Sequence, residues 1–397
     1  MSRLDVYADR LLALGGPGEH PGSSIVGVRT AAGVEVACAG WAAPASGGDA
    51  AVPMSRGLLL DLASVTKVAA TTVMVMHLVD EGRLALGDAV RDHLPGFGGD
   101  GKDAVTLQQL LTHTAGLKAW WPLYLETADR ATALARAQEL PLATSPGTAW
   151  SYSDLGLILA GAVVEAVTGL PLRDAYRALV AEPLGLSSRY GPVPAASAVT
   201  SADSDAYEFR MLETGTPHPV PFRPEQFGGW RDRPTRGEAN DGNTAHALDG
   251  VSGHAGLFST VDDLLALGTA VRGGAFVSER VLHEFGRTTP LNPGQAVGFR
   301  RSTIRVEGGE LSLLGHSGFT GTWFGFGLEA DLVIAGAAMR LAGTTGPLPS
   351  AATTGGRARP ALPSLVSGDA IQSVLTEAAA AVLVADASPI PMNAEER

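Results

Sequence analysis

Asp61-Leu-Ala-Ser-Val-Thr-Lys-Val-Ala-Ala70 opens a run that is apolar almost throughout: Val65, Val68, Ala69, Ala70, Val73, Met74, Met76, Leu78 and Val79. Apolar residues nearly all round predict a buried helix. At 3.6 residues per turn, Ser64 and Lys67 share one face, a turn apart. A buried lysine is costly unless it is paired or neutral, and burial alone lowers its pKa by up to roughly 3–5 pH units. Beside a hydroxyl, such a lysine can take the proton and make serine a nucleophile. Ser-x-x-Lys alone is a weak signal, because ordinary helices carry it on solvated turns. Position gives it weight: the chain has three lysines, Lys67, Lys102 and Lys118, and one falls inside the apolar helix.

The composition narrows the function. A chain of 397 residues with 45% hydrophobic and 18% charged content is globular and long enough for more than one layer. A net charge of −12 argues against nucleic acid or an anionic membrane as partner. Cys38 is the single cysteine, so neither a disulfide framework nor a thiol metal site is expected. Charges in Met1–Arg10 occupy the place of a signal peptide's apolar region, and no apolar run approaches the length of a membrane span. A cytoplasmic, membrane-free protein is the expectation.

Around the lysine helix the chain punctuates itself with glycine and proline. Residues 3–14 predict an amphipathic helix. Ser24–Arg29 and Val34–Trp41 predict a hairpin across Thr30–Gly33. Helices are expected over 84–94, 106–111, 124–140, 155–167 and 172–186. His113, in Leu-Leu-Thr-His-Thr-Ala-Gly-Leu, fits a turn-pinning or core histidine better than a catalyst. Tyr152, in Pro146-Gly-Thr-Ala-Trp-Ser-Tyr-Ser-Asp154, precedes a long apolar helix and is placed to point into a cleft, though such a residue more often anchors a loop. Residues 187–250 lack periodicity and are expected as a long irregular loop over a site, with Trp230 on a mobile lid. A helix follows from Thr260, then strands over 303–306, 311–315, 323–328 and 332–339, and a helix over 369–384. The tail beyond Pro389 is expected to be loose. Strands at both ends and helices between them predict an α+β chain with one sheet made from both termini. In that division residues 1–60 and 255–397 form a discontinuous sheet domain, and 61–254 a helical insertion.

Three segments in this order, Ser64-Val-Thr-Lys67, Tyr152-Ser-Asp154 and His316-Ser-Gly318, resemble the motifs of the serine β-lactamase and penicillin-binding-protein superfamily, in its class C-like esterase branch. The stretches around His113, Trp150 and Gly253-His-Ala-Gly-Leu-Phe-Ser259 are similar as well. The resemblance covers residues 20–340 and implies a mainly antiparallel sheet flanked by helices, with an all-helical subdomain inserted and the site between them. It implies Ser64 as the acylated nucleophile, Lys67 and Tyr152 sharing proton transfer, and the N–H groups of Ser64 and Phe319 as oxyanion hole. Asp154, His316, Ser317, Gly318 and Trp230 are then supporting or substrate-binding residues.

Two departures bear on substrate. His316 stands where the superfamily pattern has a lysine, and Asp154 where it has a neutral amide. A carboxylate beside Lys67 should hold it protonated, shifting the base role toward Tyr152 or steering a cationic acceptor. The expected activity is therefore acyl transfer from a small-molecule ester or amide to an amine or water, as in transacylases of the capuramycin type in secondary metabolism. Plain carboxylesterase comes next, then β-lactamase or D-alanyl-D-alanine peptidase, then a catalytically dead binding module. No metal spacing or phosphate loop occurs, so no cofactor is implied.

Overall fold

A computed structural model describes residues 2–45, 50–306, 309–348 and 364–387. Its centre is a nine-stranded antiparallel sheet whose middle joins the two ends of the chain. Strand Ser23–Thr30 pairs on one side with Gly33–Ala43 and on the other with Leu332–Ala338, from Ser24 opposite Ala338 to Thr30 opposite Leu332. Beyond Leu332–Ala338 the order runs Thr322–Gly327, Gly309–Ser317, Arg300–Val306, Asn292–Ala296 and Thr288–Thr289.

Both faces of this sheet are covered, and alternate residues divide between two cores. Val26, Val28, Leu332 and Ile334 pack with Leu4 and Leu11 of the first helix and with Ile371, Val374 and Leu375 of the last, Gly368–Ala387. Ile25, Val333, Ala335 and Ala337 face Val261, Leu264 and Leu265 and belong to the larger core of the helical region. All seven residues of Leu332–Ala338 are therefore buried, which is why that strand reads as continuously apolar.

Several expectations change. Gly368–Asp386 is long and apolar enough to cross a membrane by length and composition, contrary to the expectation that no run comes close. Its apolar side lies on the sheet instead. Of residues 84–94 only Val90–His93 is helical. The stretch 172–186 is divided into Leu172–Tyr176, a wider-wound turn Arg177–Ala181, and Glu182–Leu184. The tail beyond Pro389 lies outside the described residues.

The largest correction concerns 187–250. This segment holds strands Arg189–Tyr190, Thr200–Ala202 and Thr235–Arg236, with helices Ala206–Thr214 and Gly242–His246. Its elements are short, and polar groups anchor them, so periodicity does not reveal them. Arg231, 8% exposed, donates from Nε and Nη2 to Asp205 Oδ1 at 2.9 and 2.7 Å, from Nη1 to the carbonyl of Ala239 and from Nη2 to that of Asn240. His246 adds a bond to Asp205 Oδ2 at 3.0 Å. Trp230 packs edge-on against Tyr124, Phe209 and Phe227, and its Nε1 donates to Pro224 O. It is part of a packed aromatic cluster.

Removing one partner of a buried ion pair leaves a charge without compensation. Arg231→Met should lower stability by roughly 3–5 kcal/mol, read as a shift of the denaturant midpoint. A loss under about 1 kcal/mol would mean that the segment is held by its aromatic cluster alone.

Candidate active site

Ser64 lies just after the short strand Leu60–Asp61, which pairs with Leu257–Ser259. It sits in a 3-10 turn, Ala63–Val65, and the next turn, Lys67–Thr72, is wound as a π-helix before a regular α-helix begins at Val73. The uniform α-helix expected from the apolar run is thus replaced by three windings, and π-turns are concentrated at functional sites. Lys67 and Thr71 use this winding to donate to successive carbonyls, His254 O at 3.3 Å and Gly253 O at 2.7 Å.

Lys67 is the hub. Its side chain is 1% exposed, and Nζ donates to Ser64 Oγ at 2.8 Å and to Asp154 Oδ1 at 2.8 Å. Burial works to strip its charge, but Asp154 and Tyr152 outweigh burial and raise its pKa. The resting lysine is therefore an ammonium, as the carboxylate at 154 led one to expect. Asp154 itself opens helix Asp154–Thr168, where a negative charge meets the positive end of the helix dipole.

The ring of Tyr152 lies with its centroid 4.9 Å from Lys67 Nζ. Burial pushes the phenol up, and the lysine's charge and hydrogen bonds with Lys67 and Ser64 offset this in part. His113 holds the turn that carries it: Nδ1 accepts the Ser153 N–H at 3.1 Å, and the rings of His113 and Tyr152 are 4.7 Å apart. Burial lowers the pKa of His113 well below the ordinary histidine value, so this acceptor nitrogen stays free of a proton.

His316 stacks 5.7 Å from Tyr152 on the other flank of the site, donating from Nδ1 to Ser317 O at 2.7 Å. Burial, with Lys67 nearby, lowers its pKa to about 3. The histidine that stands in place of the pattern's lysine is therefore neutral and supplies no cation there. A positive charge in this neighbourhood comes instead from Arg300, whose guanidinium lies over the rings of Trp150 and Tyr152. No local spacing points to Arg300, because its place depends on the pairing of Arg300 with Gly315 in the sheet.

Gly318 is where the sheet meets the nucleophile turn. A Cβ there would lie 2.0 Å from Thr322 Oγ1 and 2.5 Å from Leu62 O, so only glycine permits the approach. Ser64 and Phe319 line the same cavity of about 240 Å³, and the Phe319 N–H donates to no group among the described residues. The structure does not bring two expected residues to the site. Ser317 is exposed, with Oγ facing Gly368, and Trp230 is absent from the cavity wall. Trp120 does line it, stacked on His218.

Much of the wall comes from the segment expected as a loop: Tyr207, Glu208, Met211, His218 and Asp241 among others. One signal was available. Asp241, followed by Gly242 and with Thr244 three residues on, has the spacing of a helix N-cap, and its Oδ1 accepts the Thr244 N–H at 2.8 Å. One trio among the described residues has ligand atoms close enough to hold a metal ion: Asp154, Asp241 and His254, within 4.8 Å of one another. These atoms are already engaged, Asp154 with Lys67 and His254 Nε2 with Asp241 Oδ1 at 3.0 Å.

A serine, a lysine and a tyrosine set between an antiparallel sheet and a helical region define a β-lactamase-like serine hydrolase. The chain belongs to the Beta-lactamase family, whose model matches residues 13–349. It is 28% identical over 356 residues to an N-acetylmuramyl-L-alanine amidase of Bacillus subtilis (strain 168), covering 81% of this chain and 77% of the relative. Its fold is similar to a penicillin-binding protein homologue from Caulobacter crescentus, with TM-score 0.67, 21% identity and 96% of each chain covered. It is likewise similar to EstCE1, described as a hydrolase with promiscuous acyltransferase activity, at TM-score 0.65 and 19% identity over 95% of this chain and 98% of that one.

Gly318→Ala should force Leu62 and the strand end apart. The expected loss is roughly 100-fold in acylation rate or more, the scale of one lost oxyanion donor. Stopped-flow acylation by a chromogenic ester measures it, and an unchanged rate would show that Gly318 sets no catalytic distance.

Proposed function

We propose that the chain is an acyl-serine enzyme that opens a small-molecule ester or amide and passes the acyl group to an amine, with water as the competing acceptor. The observation that carries this is the Ser64–Lys67–Asp154 chain of contacts, two bonds of 2.8 Å through one buried ammonium. Lys67 already donates to Ser64 Oγ, so the serine proton leaves toward Tyr152 as its phenolate, the form that burial opposes and that the Lys67 charge and hydrogen bonds with Lys67 and Ser64 favour. The ammonium then stabilises the charge formed and returns a proton to the leaving group through Tyr152. The N–H groups of Ser64 and Phe319 are the donors for the tetrahedral oxyanion.

The acceptor is assigned from the cavity. Asp154, Asp205, Glu208 and Asp241 line it, and no lysine or arginine does. Burial raises the Glu208 carboxyl to about 8 and Asp205 is paired with Arg231, so Asp154 and Asp241 are the carboxylates left to draw an ammonium, which becomes the attacking amine on losing a proton. The similarity to EstCE1, described as a hydrolase with promiscuous acyltransferase activity, supports the same direction.

Ser64→Ala is the first test. It should abolish the covalent adduct seen by intact mass and lower kcat by roughly 10³- to 10⁶-fold, with the melting temperature kept. Adduct formation at a comparable rate would place the nucleophile elsewhere.

Asp154→Asn tests the acceptor. It removes the charge that draws the amine but keeps the size of the side chain. The amide-to-acid product ratio at fixed amine concentration should fall by about 5-fold or more. If the ratio holds while both rates drop together, Asp154 serves only as partner of Lys67, and the enzyme is a plain hydrolase.

A further inference from the structure

Asp61 is 1% exposed and has no part in the proton path around Ser64. Its two carboxyl oxygens each accept one main-chain N–H, Oδ1 from Ala63 at 3.0 Å and Oδ2 from Asn240 at 2.7 Å. Ala63, the residue before the nucleophile, has φ +44°. A residue with a Cβ stays in that left-handed region only when its surroundings impose it. Asn240 and Asp241 belong to the cavity wall, and Asp241 holds His254, whose carbonyl receives Lys67. The main chain of this turn is tied to the sheet separately: Thr320 Oγ1 donates to Asp61 O, and Thr322 Oγ1 to Leu62 O. The Asp61 side chain therefore links the nucleophile turn to the cavity wall, 179 residues further on.

We propose that the Asp61 carboxylate is a positioning residue that holds the strained Ala63–Ser64 turn and the Asn240–Asp241 wall in register for acylation. The proposal rests on Ser64 being the nucleophile. Only the ionised carboxylate offers an acceptor on both oxygens; a carboxylic acid or an amide turns a donor toward one of the two N–H groups.

Burial pushes this carboxyl up to about 6 against the pull of the Ala63 and Asn240 N–H groups, with the charge of Asp241 adding to the rise and Arg231 opposing it. Activity and stability then respond to pH in opposite senses. As pH falls through about 6, Asp61 takes up a proton, one N–H loses its acceptor, and acylation slows. The contribution of this group to stability rises over the same range, because the folded chain binds the proton more readily than the unfolded chain, whose carboxyl titrates near 3.8.

The test follows labelling of Ser64 by a fluorophosphonate, in which the serine oxygen bonds to phosphorus, fluoride leaves and the hydroxyl proton is released. Labelling rates are read by intact mass between pH 5 and 9 for the native chain, Ser64→Ala and Asp61→Asn. The native chain should show an acid limb centred near 6 with an unchanged circular-dichroism spectrum. Asp61→Asn should lack that limb and label about 10- to 100-fold more slowly at pH 8, the scale of a small misplacement of reacting groups. Native-like labelling by Asp61→Asn, or a limb that survives in it, overturns the proposal. If that variant does not fold, the native profile decides: a rate independent of pH from 5 to 8 overturns it. Absence of any Ser64 labelling in the native chain is a separate outcome, which overturns the nucleophile assignment and the proposal with it.

Discussion

An ammonium buried to 1% exposure cannot exist in this chain unless two distant segments meet the nucleophile turn around it. Desolvating such an ion costs several kcal/mol even after relaxation. Lys67 recovers this through Ser64 in its own turn, Asp154 at the head of a buried helix, and the carbonyl of His254 before strand Leu257–Ser259. Positions 64, 154 and 254 are thereby fixed in space, and most of the architecture serves that meeting. Helix Asp154–Thr168 presents Asp154 because Leu155 to Val164 are all buried and Ser153 caps it by accepting the Gly156 N–H. The sheet end reaches Leu62 because Gly318 carries no side chain.

The same ammonium sets the protonation of its neighbours. Burial comes first for His113 and His316, and Lys67 then adds its repulsion, so both imidazoles stay neutral. Neutral histidines can accept: His113 uses Nδ1 to hold the Tyr152 turn, and His316, with Nδ1 donating to Ser317 O, keeps Nε2 as an unpartnered buried acceptor. A second cation at 316 would compete with Lys67 for the same small volume. The exchange of lysine for histidine there is the electrostatic complement of keeping Lys67 charged.

The sequence disclosed the parts of this arrangement that depend on local spacing. Ser64 and Lys67 are three residues apart, and the contact at 2.8 Å follows from that spacing even though the winding is tighter and then wider than an α-helix. The strands 300–338 were legible because each alternates or is apolar throughout between glycines. Illegible were the features set by long-range pairing. Arg300 reaches Tyr152 through sheet register, and Asp61 meets Asn240 across the fold. Within 187–250 the anchors are Asp205, Arg231, Asp241 and His246, residue types that read as solvated loop until burial is known. Trp230 misled for the converse reason: an aromatic in a polar stretch suggests a ligand wall, but it packs on three other aromatics.

Asp154 gives the site a property that a neutral amide at that position would lack. Its charge holds the proton on Lys67 and also opposes ionisation of Tyr152. Before an acceptor arrives the tyrosine is thus a reluctant base, since burial and Asp154 act in the same direction. In the proposed reaction an ammonium entering between Asp154 and Asp241 screens that carboxylate, and the opposition to phenolate falls. Arrival of the acceptor and removal of a proton by Tyr152 are then linked through one carboxylate. A water molecule carries no charge and leaves Asp154 unscreened. In the proposed reaction the acid at 154 therefore favours transfer over hydrolysis by drawing in the amine, whose charge then screens the carboxylate that opposes ionisation of Tyr152.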